Sequence, residues 1–193
     1  PDQSVIYLFN GIAKIQNKKY EDASRTLLSG SKLVVDNDQQ LMEFYSNLGD
    51  VYDKLKKFED SDKYYQKALN IDGSNVYVLN NWAYYLSLRN EQLEKAAEMS
   101  KKSNELSPNN SNFLDTYAWI LYKQGKYTDA LSWLDKARLA GGEDNGTVLE
   151  HYGDVLFKAG RINEAVDYWQ RAKKTGDHSE FLDKKLNEKK LYE

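Results

Sequence analysis

The chain has 193 residues, 27 Lys plus Arg against 30 Asp plus Glu, a formal net charge of −3, two prolines and no cysteine. That charge is too small and of the wrong sign for a protein that holds a phosphate backbone, and the longest wholly apolar run, Tyr117–Tyr122, is six residues, far short of a bilayer span. Without cysteine there is no disulfide framework and no thiolate metal site, and with prolines only at Pro1 and Pro108 nearly the whole chain is free to be helical.

In chain order, Pro1-Asp2 stands where a preceding unit would finish, so the sequence is expected to begin at a repeat boundary inside a longer protein. Segment 4–37 then carries Gly11, Tyr20, Ala23 and Leu27. Segment 42–75 carries Tyr45, Leu48-Gly49, Tyr52, Phe58, Ser61, Tyr65 and Ala68. Between them, Asp36 to Leu41 contains four extra residues, with Asn37 and Gln40 placed to cap a lengthened helix. Segment 76–110 carries Leu79, Trp82-Ala83, Leu86, Ala96 and Pro108. Segment 111–145 has Leu114, Tyr117-Ala118, Leu121, Gly125, Tyr127, Ala130, Leu134 and Ala137. Segment 146–177 has Leu149, Tyr152-Gly153, Leu156, Gly160, Ile162, Ala165, Trp169 and Ala172. The small residue recurs at Gly11, Gly49, Ala83, Ala118 and Gly153, in steps of 38, 34, 35 and 35 residues.

Inside each unit the apolar residues return with the helical period. Each unit therefore reads as two helices joined by a short turn, with the small residues where the two helices must approach. A lone pair cannot bury its apolar face, so neighbouring units must stack. The end of the chain, 178–192, is expected to be a capping helix. Asp177 and Glu180 stand at capping-box spacing, Phe181, Leu182 and Leu186 point to the last unit, and Lys184, Lys185, Glu188, Lys189 and Lys190 point to water.

This pattern resembles the tetratricopeptide repeat, a 34-residue helix–turn–helix unit, over about nine tenths of the chain. The resemblance implies an all-α fold: a right-handed superhelical solenoid of five units plus the C-terminal cap, forming a single domain over 1–193. Lys14 and Leu86 stand where the family usually has Tyr, Ser61 where it has Ala, and Gly73 where it has Pro. The stretch Leu114 to Tyr127, with Glu150 to Leu156 and Tyr168-Trp169, is also similar to the C-terminal end of certain bacterial repeat proteins of the cell envelope. That similarity implies a periplasmic or envelope location rather than a cytoplasmic one.

Chemistry is scarce. His151 and His178 lie 27 residues apart on different elements, in no metal-ligand spacing. His151 is expected to face the groove or solvent, and Gly141-Gly142 and Gly146 to form a loose turn rather than a phosphate cradle. Asp50 and Asp53 share a helical face and read as solvated. Asn109-Asn110-Ser111 and Asn145-Gly146-Thr147 match a glycosylation pattern, but Asn at these turns serves the backbone. The sequence points to no cofactor, no metal, no nucleic acid and no catalytic centre.

What remains is the surface that first helices line in this family. Its positions fall on Glu43, Ser46, Asp50 and Asp53, on Tyr77, Asn80, Asn81, Tyr84 and Ser87, on Asn112, Asp115, Trp119, Tyr122 and Lys123, and on Thr147, Glu150, Asp154, Phe157 and Lys158. Aromatic anchors beside amides make a protein-binding patch, whose expected members are Tyr77, Asn80, Asn81, Tyr84, Asp115, Trp119, Tyr122 and Asp154. The acidic flank implies a neutral or basic ligand. The cations with which some family members hold an acidic chaperone tail are missing. Tyr84, Trp119 and Phe157 could equally pack against neighbouring helices. Two functions fit: a non-catalytic scaffold or adaptor binding a protein or extended peptide, or the regulatory part of a larger enzyme or transporter lying upstream of Pro1. Sequence leaves the oligomeric state open.

Overall fold

The computed structural model describes residues 3–192, so the reading of Pro1-Asp2 lies outside the described residues. Eleven α-helices and no strand occur among them. Their order is α1 (Gln3–Gln16), α2 (Tyr20–Ser31), α3 (Asp38–Lys54), α4 (Phe58–Ile71), α5 (Val76–Leu88), α6 (Leu93–Leu106), α7 (Ser111–Lys123), α8 (Tyr127–Ala137), α9 (Gly146–Lys158), α10 (Ile162–Thr175) and α11 (Leu182–Glu188). The first and second helices of the five repeats alternate from α1 to α10, giving the all-α helix–turn–helix array that the repeat implies. Contacts divide the chain into two compact units, one running to Tyr85 and one starting at Leu86.

In the first unit, Leu8, Ala23, Leu27, Phe44, Leu48, Val51 and Tyr52 form one buried core shared by α1, α2 and α3. The turns inside its repeats place Lys18 and Lys56 at φ 57° and 58°, the left-handed region that Gly125 and Gly160 occupy in the second unit at lower cost. Ser61, where alanine is usual, is wholly buried, and its hydroxyl donates to the Gly49 carbonyl at 2.9 Å.

One asparagine recurs ahead of the first helices. Asn37 accepts from the Gln40 amide, Asn75 from Val78, Asn110 from Asn112 and Phe113, and Asn145 from Val148. Each cap answers an orphan helix N–H, which accounts for Asn145; Asn109 sits at φ 63°, a turn conformation asparagine tolerates.

In the second unit, α7 packs on α6 and α8, and α9 on α8 and α10. The turn expected around Gly141-Gly142 is a π-helical turn, Arg138–Gly142, with Gly141 at φ 99°. The terminal helix is shorter than expected: it runs from Leu182 to Glu188, and the Asp177/Glu180 capping box is not formed, because the helix starts after Phe181 with no side-chain cap. Phe181 is exposed and Leu182 fully buried. Lys185, expected in water, is buried to 2% exposure.

Candidate protein-binding face

The close approach of paired helices sets the chemistry of the first-helix face. A Cβ on Gly49 would lie 2.8 Å from the Tyr65 ring, and one on Gly153 2.4 Å from the Trp169 ring. With no Cβ there, each ring lies flat on the first helix and its polar tip reaches the next residue. The Tyr65 hydroxyl donates to Asp50, and Trp169 Nε1 donates to Asp154 at 2.8 Å. Both carboxylates are drawn inward by these rings. Burial pushes each up to about 6, against the opposing pull of Tyr65 on Asp50 and of Lys185 on Asp154. Asp50 is therefore not the solvated acid the spacing suggested.

A second rule connects successive first helices. A donor on one helix meets a carboxylate on the helix before it. The Asn81 amide donates to Asp50. His151 Nδ1 lies 2.9 Å from Asp115. Lys185 Nζ donates to Glu150 at 2.7 Å and to both oxygens of Asp154 at 2.8 and 2.7 Å, and Ser179 adds its backbone N–H and hydroxyl to Glu150 at 2.8 and 2.5 Å. Burial would raise Glu150, but the bonds from Lys185 and Ser179 outweigh it and hold the carboxyl below its usual value. Burial would lower His151, but the charge and hydrogen bond of Asp115 outweigh it and hold the imidazole above its usual value.

These contacts fill the face in the second unit. Trp119 is 5% exposed, stacked at 4.1 Å on the His151 ring and at 4.7 Å on Tyr122. Tyr122, Asp115 and Asp154 are buried with it. Of the two uses open to Trp119, packing is the one the structure gives, and the centre of an open surface cannot lie there. His151, expected to face the groove or solvent, is a buried partner of Asp115. Phe157 rests on Trp169, ring centroids 5.7 Å apart.

The first unit keeps its face open. Tyr77, Asn80, Asn81 and Tyr84 follow one another at i, i+3, i+4 and i+7 on α5, one side of a helix. Tyr77 is 64% exposed, while Asn81 and Tyr84 are half-buried. Asn80 is buried, gives its amide to Asn81 at 3.4 Å and leaves Oδ1 without a hydrogen-bond partner. Glu43, Ser46, Asp50 and Asp53 continue the strip on α3, with Glu43 exposed and the others half-buried. Sequence reasoning missed the role of Lys185, although the signal was there. It lies one 34-residue period after His151, as Leu182 lies one period after Val148, so α11 is a truncated sixth first helix. No group of His, Asp or Glu among the described residues could hold a metal ion, and no described helix is long and apolar enough to cross a membrane.

Comparison with known proteins agrees with the repeat. The family described as tetratricopeptide repeat matches residues 43–75, and the one described as anaphase-promoting complex, cyclosome, subunit 3 matches residues 89–172. No curated protein matches the sequence. Among solved structures, the chain is similar to PilW, a widely conserved type IV pilus biogenesis factor, at 15% identity and a TM-score of 0.82, over 98% of this chain and 86% of that one. It is similar to Pseudomonas aeruginosa PilF at 20% identity and a TM-score of 0.76, over 91% and 78%. It also resembles TTC0263, a thermophilic repeat protein of Thermus thermophilus, at 16% identity and 0.79, over 96% and 98%.

Proposed function

We propose that this chain, a member of the tetratricopeptide-repeat family, is a non-catalytic scaffold that binds a partner protein or extended peptide on the first-helix face of α3 and α5. The observation that carries the reading is the open strip on α5. Tyr77 stands 64% exposed and Tyr84 half-buried on one side of α5, whereas Trp119 and Asp154, one and two periods after Tyr84, are buried. Tyr77 and Tyr84 supply apolar area with few rotors to order, and the asparagines can pair with a peptide backbone without reading its sequence. Asp50, Asp53 and Glu43 on α3 favour a neutral or basic ligand, bound less well at high salt. Trp119, Tyr122, Asp115 and Asp154, buried in the second unit, are not part of this binding face. The fold likeness to a pilus biogenesis factor supports a place in a bacterial cell envelope.

The test is a pull-down from the source cells with the wild type, Tyr77→Ala/Tyr84→Ala and Gln66→Ala, the last altering an exposed residue of α4. Loss of the same partners in the double variant alone, with unchanged circular dichroism, is the expected result. Equal recovery in all three places binding elsewhere.

A further inference from the structure

The repeat forms one hollow twice in the second unit. The first lies between α6 and α8 and holds about 250 Å³, with Leu114 of α7 as its floor, Pro108 and Trp133 as its walls, and Lys101 and Lys136 at its rim. The second lies one repeat on. Glu143, Asp144, Leu149 and Arg171 line it, each 35 residues after Pro108, Asn109, Leu114 and Lys136. The place recurs but its chemistry does not. Where the first hollow has a proline and an asparagine, the second has two carboxylates, and Arg138 reaches Glu143 at 3.6 Å.

The first hollow is held in shape by its own residues. Asn104 donates to the Ser100 and Phe113 carbonyls at 2.9 Å each, tying α6 to α7. The Tyr117 ring meets the half-buried Trp133 edge-on, centroids 4.6 Å apart. Little ordering is therefore left for a ligand to impose. The rim is positive. Lys136 Nζ lies 4.1 Å from the centre of the Trp133 ring, and Lys101 stands 3.9 Å from Glu105, so two lysines face one glutamate.

We propose that this hollow takes one large apolar side chain of a partner protein, a leucine or phenylalanine, from a segment with Asp or Glu on both sides of it. The size selects a side chain, since small-molecule sites run to roughly 300–1,000 Å³. Leu114, Trp133 and Pro108 cover the apolar group, while Lys101 and Lys136 meet the flanking carboxylates and turn away a basic segment. Glu143 and Asp144 would repel the same carboxylates from the second hollow, so it serves as an internal control. The hollow shares no residue with the α3–α5 strip, and its ligand has the opposite charge.

The test uses the full chain, labelled with ¹⁵N, and a capped synthetic peptide of one leucine between acidic pairs. The expected result is a shift of the Trp133 indole N–H and of the Asn104, Glu105 and Asn109 amides, with the Trp169 indole unmoved. The shift shrinks as salt is raised. Affinity falls at least tenfold when serine replaces the leucine, and lysines in place of the acids leave Trp133 unmoved. Lys101→Glu/Lys136→Glu and, separately, Pro108→Glu, which copies Glu143, abolish the shift at an unchanged melting temperature; all three positions are exposed. No Trp133 shift at millimolar peptide overturns the proposal. So do equal shifts from the serine peptide, which would show a bare anion site, and shifts that survive both variants.

Discussion

Replacing Lys185 with methionine removes a cation that touches two buried carboxylates. Glu150 and Asp154 are 3% and 2% exposed, and Lys185 lies 2.7 Å from each. Breaking a buried pair from one side strands the opposite charge, which costs about 3–5 kcal/mol. For a chain of this length that is a fall of roughly 6–20 °C in melting temperature. The loss should depend on pH. Asp154 already titrates at about 6 because of its burial, and without Lys185 both carboxyls move higher. A carboxyl raised in the folded state favours folding when protonated, so the variant should recover stability as the pH falls from 8 to 5. Neutralising the acids as well, in Lys185→Met/Glu150→Gln/Asp154→Asn, should restore most of the loss. The amide oxygens can still accept from Ser179 and Trp169. Urea titration at pH 8 and pH 5, followed by circular dichroism, reads all three proteins. A loss under about 1 kcal/mol at pH 8, or one independent of pH, would refute the reasoning.

Three further outcomes are expected. His151→Gln should cost about 1.5–3 kcal/mol below pH 6 and less at pH 8.5. The raised imidazole stabilises the fold below its unfolded value and loses that contribution as pH rises through the folded one; an equal loss at both pH values in urea melts would contradict this. Gly153→Ala sets a Cβ 2.4 Å from the Trp169 ring and should lower stability by about 1–3 kcal/mol, as should Ala165→Leu at a wholly buried position; unchanged urea midpoints would show that these helices are not in close contact. Binding of a lysine-bearing ligand should weaken as pH falls from 7 to 5, because Asp50 is protonated over that range; titration calorimetry with Asp50→Asn, which should remove the pH dependence, checks it.

The fold was legible because repetition exposes it. One small residue per unit, at Gly11, Gly49, Ala83, Ala118 and Gly153, sets the helix pairs, and an asparagine at Asn37, Asn75, Asn110 and Asn145 starts the next first helix. The site was legible in position but not in exposure. Tyr77 and Trp119 both fall on first-helix positions of the face, and nothing local distinguishes them. Trp119 is buried because His151, on the following first helix, lies flat on its ring, and a contact between separate helices leaves no mark near residue 119. Lys185 misled for a related reason. Read with Lys184, Lys189 and Lys190 it looks like a solvated run. Read one period after His151, it is a donor aimed at Glu150 and Asp154.

The central claim is that partners meet the open strip of α5. It is tested most directly by placing a photo-crosslinking amino acid at position 77 and, separately, at position 66 on α4, then irradiating living source cells. The account predicts a discrete protein adduct at 77, lost when Tyr84→Ala is added, and none at 66. An adduct at 66 with none at 77 would contradict it.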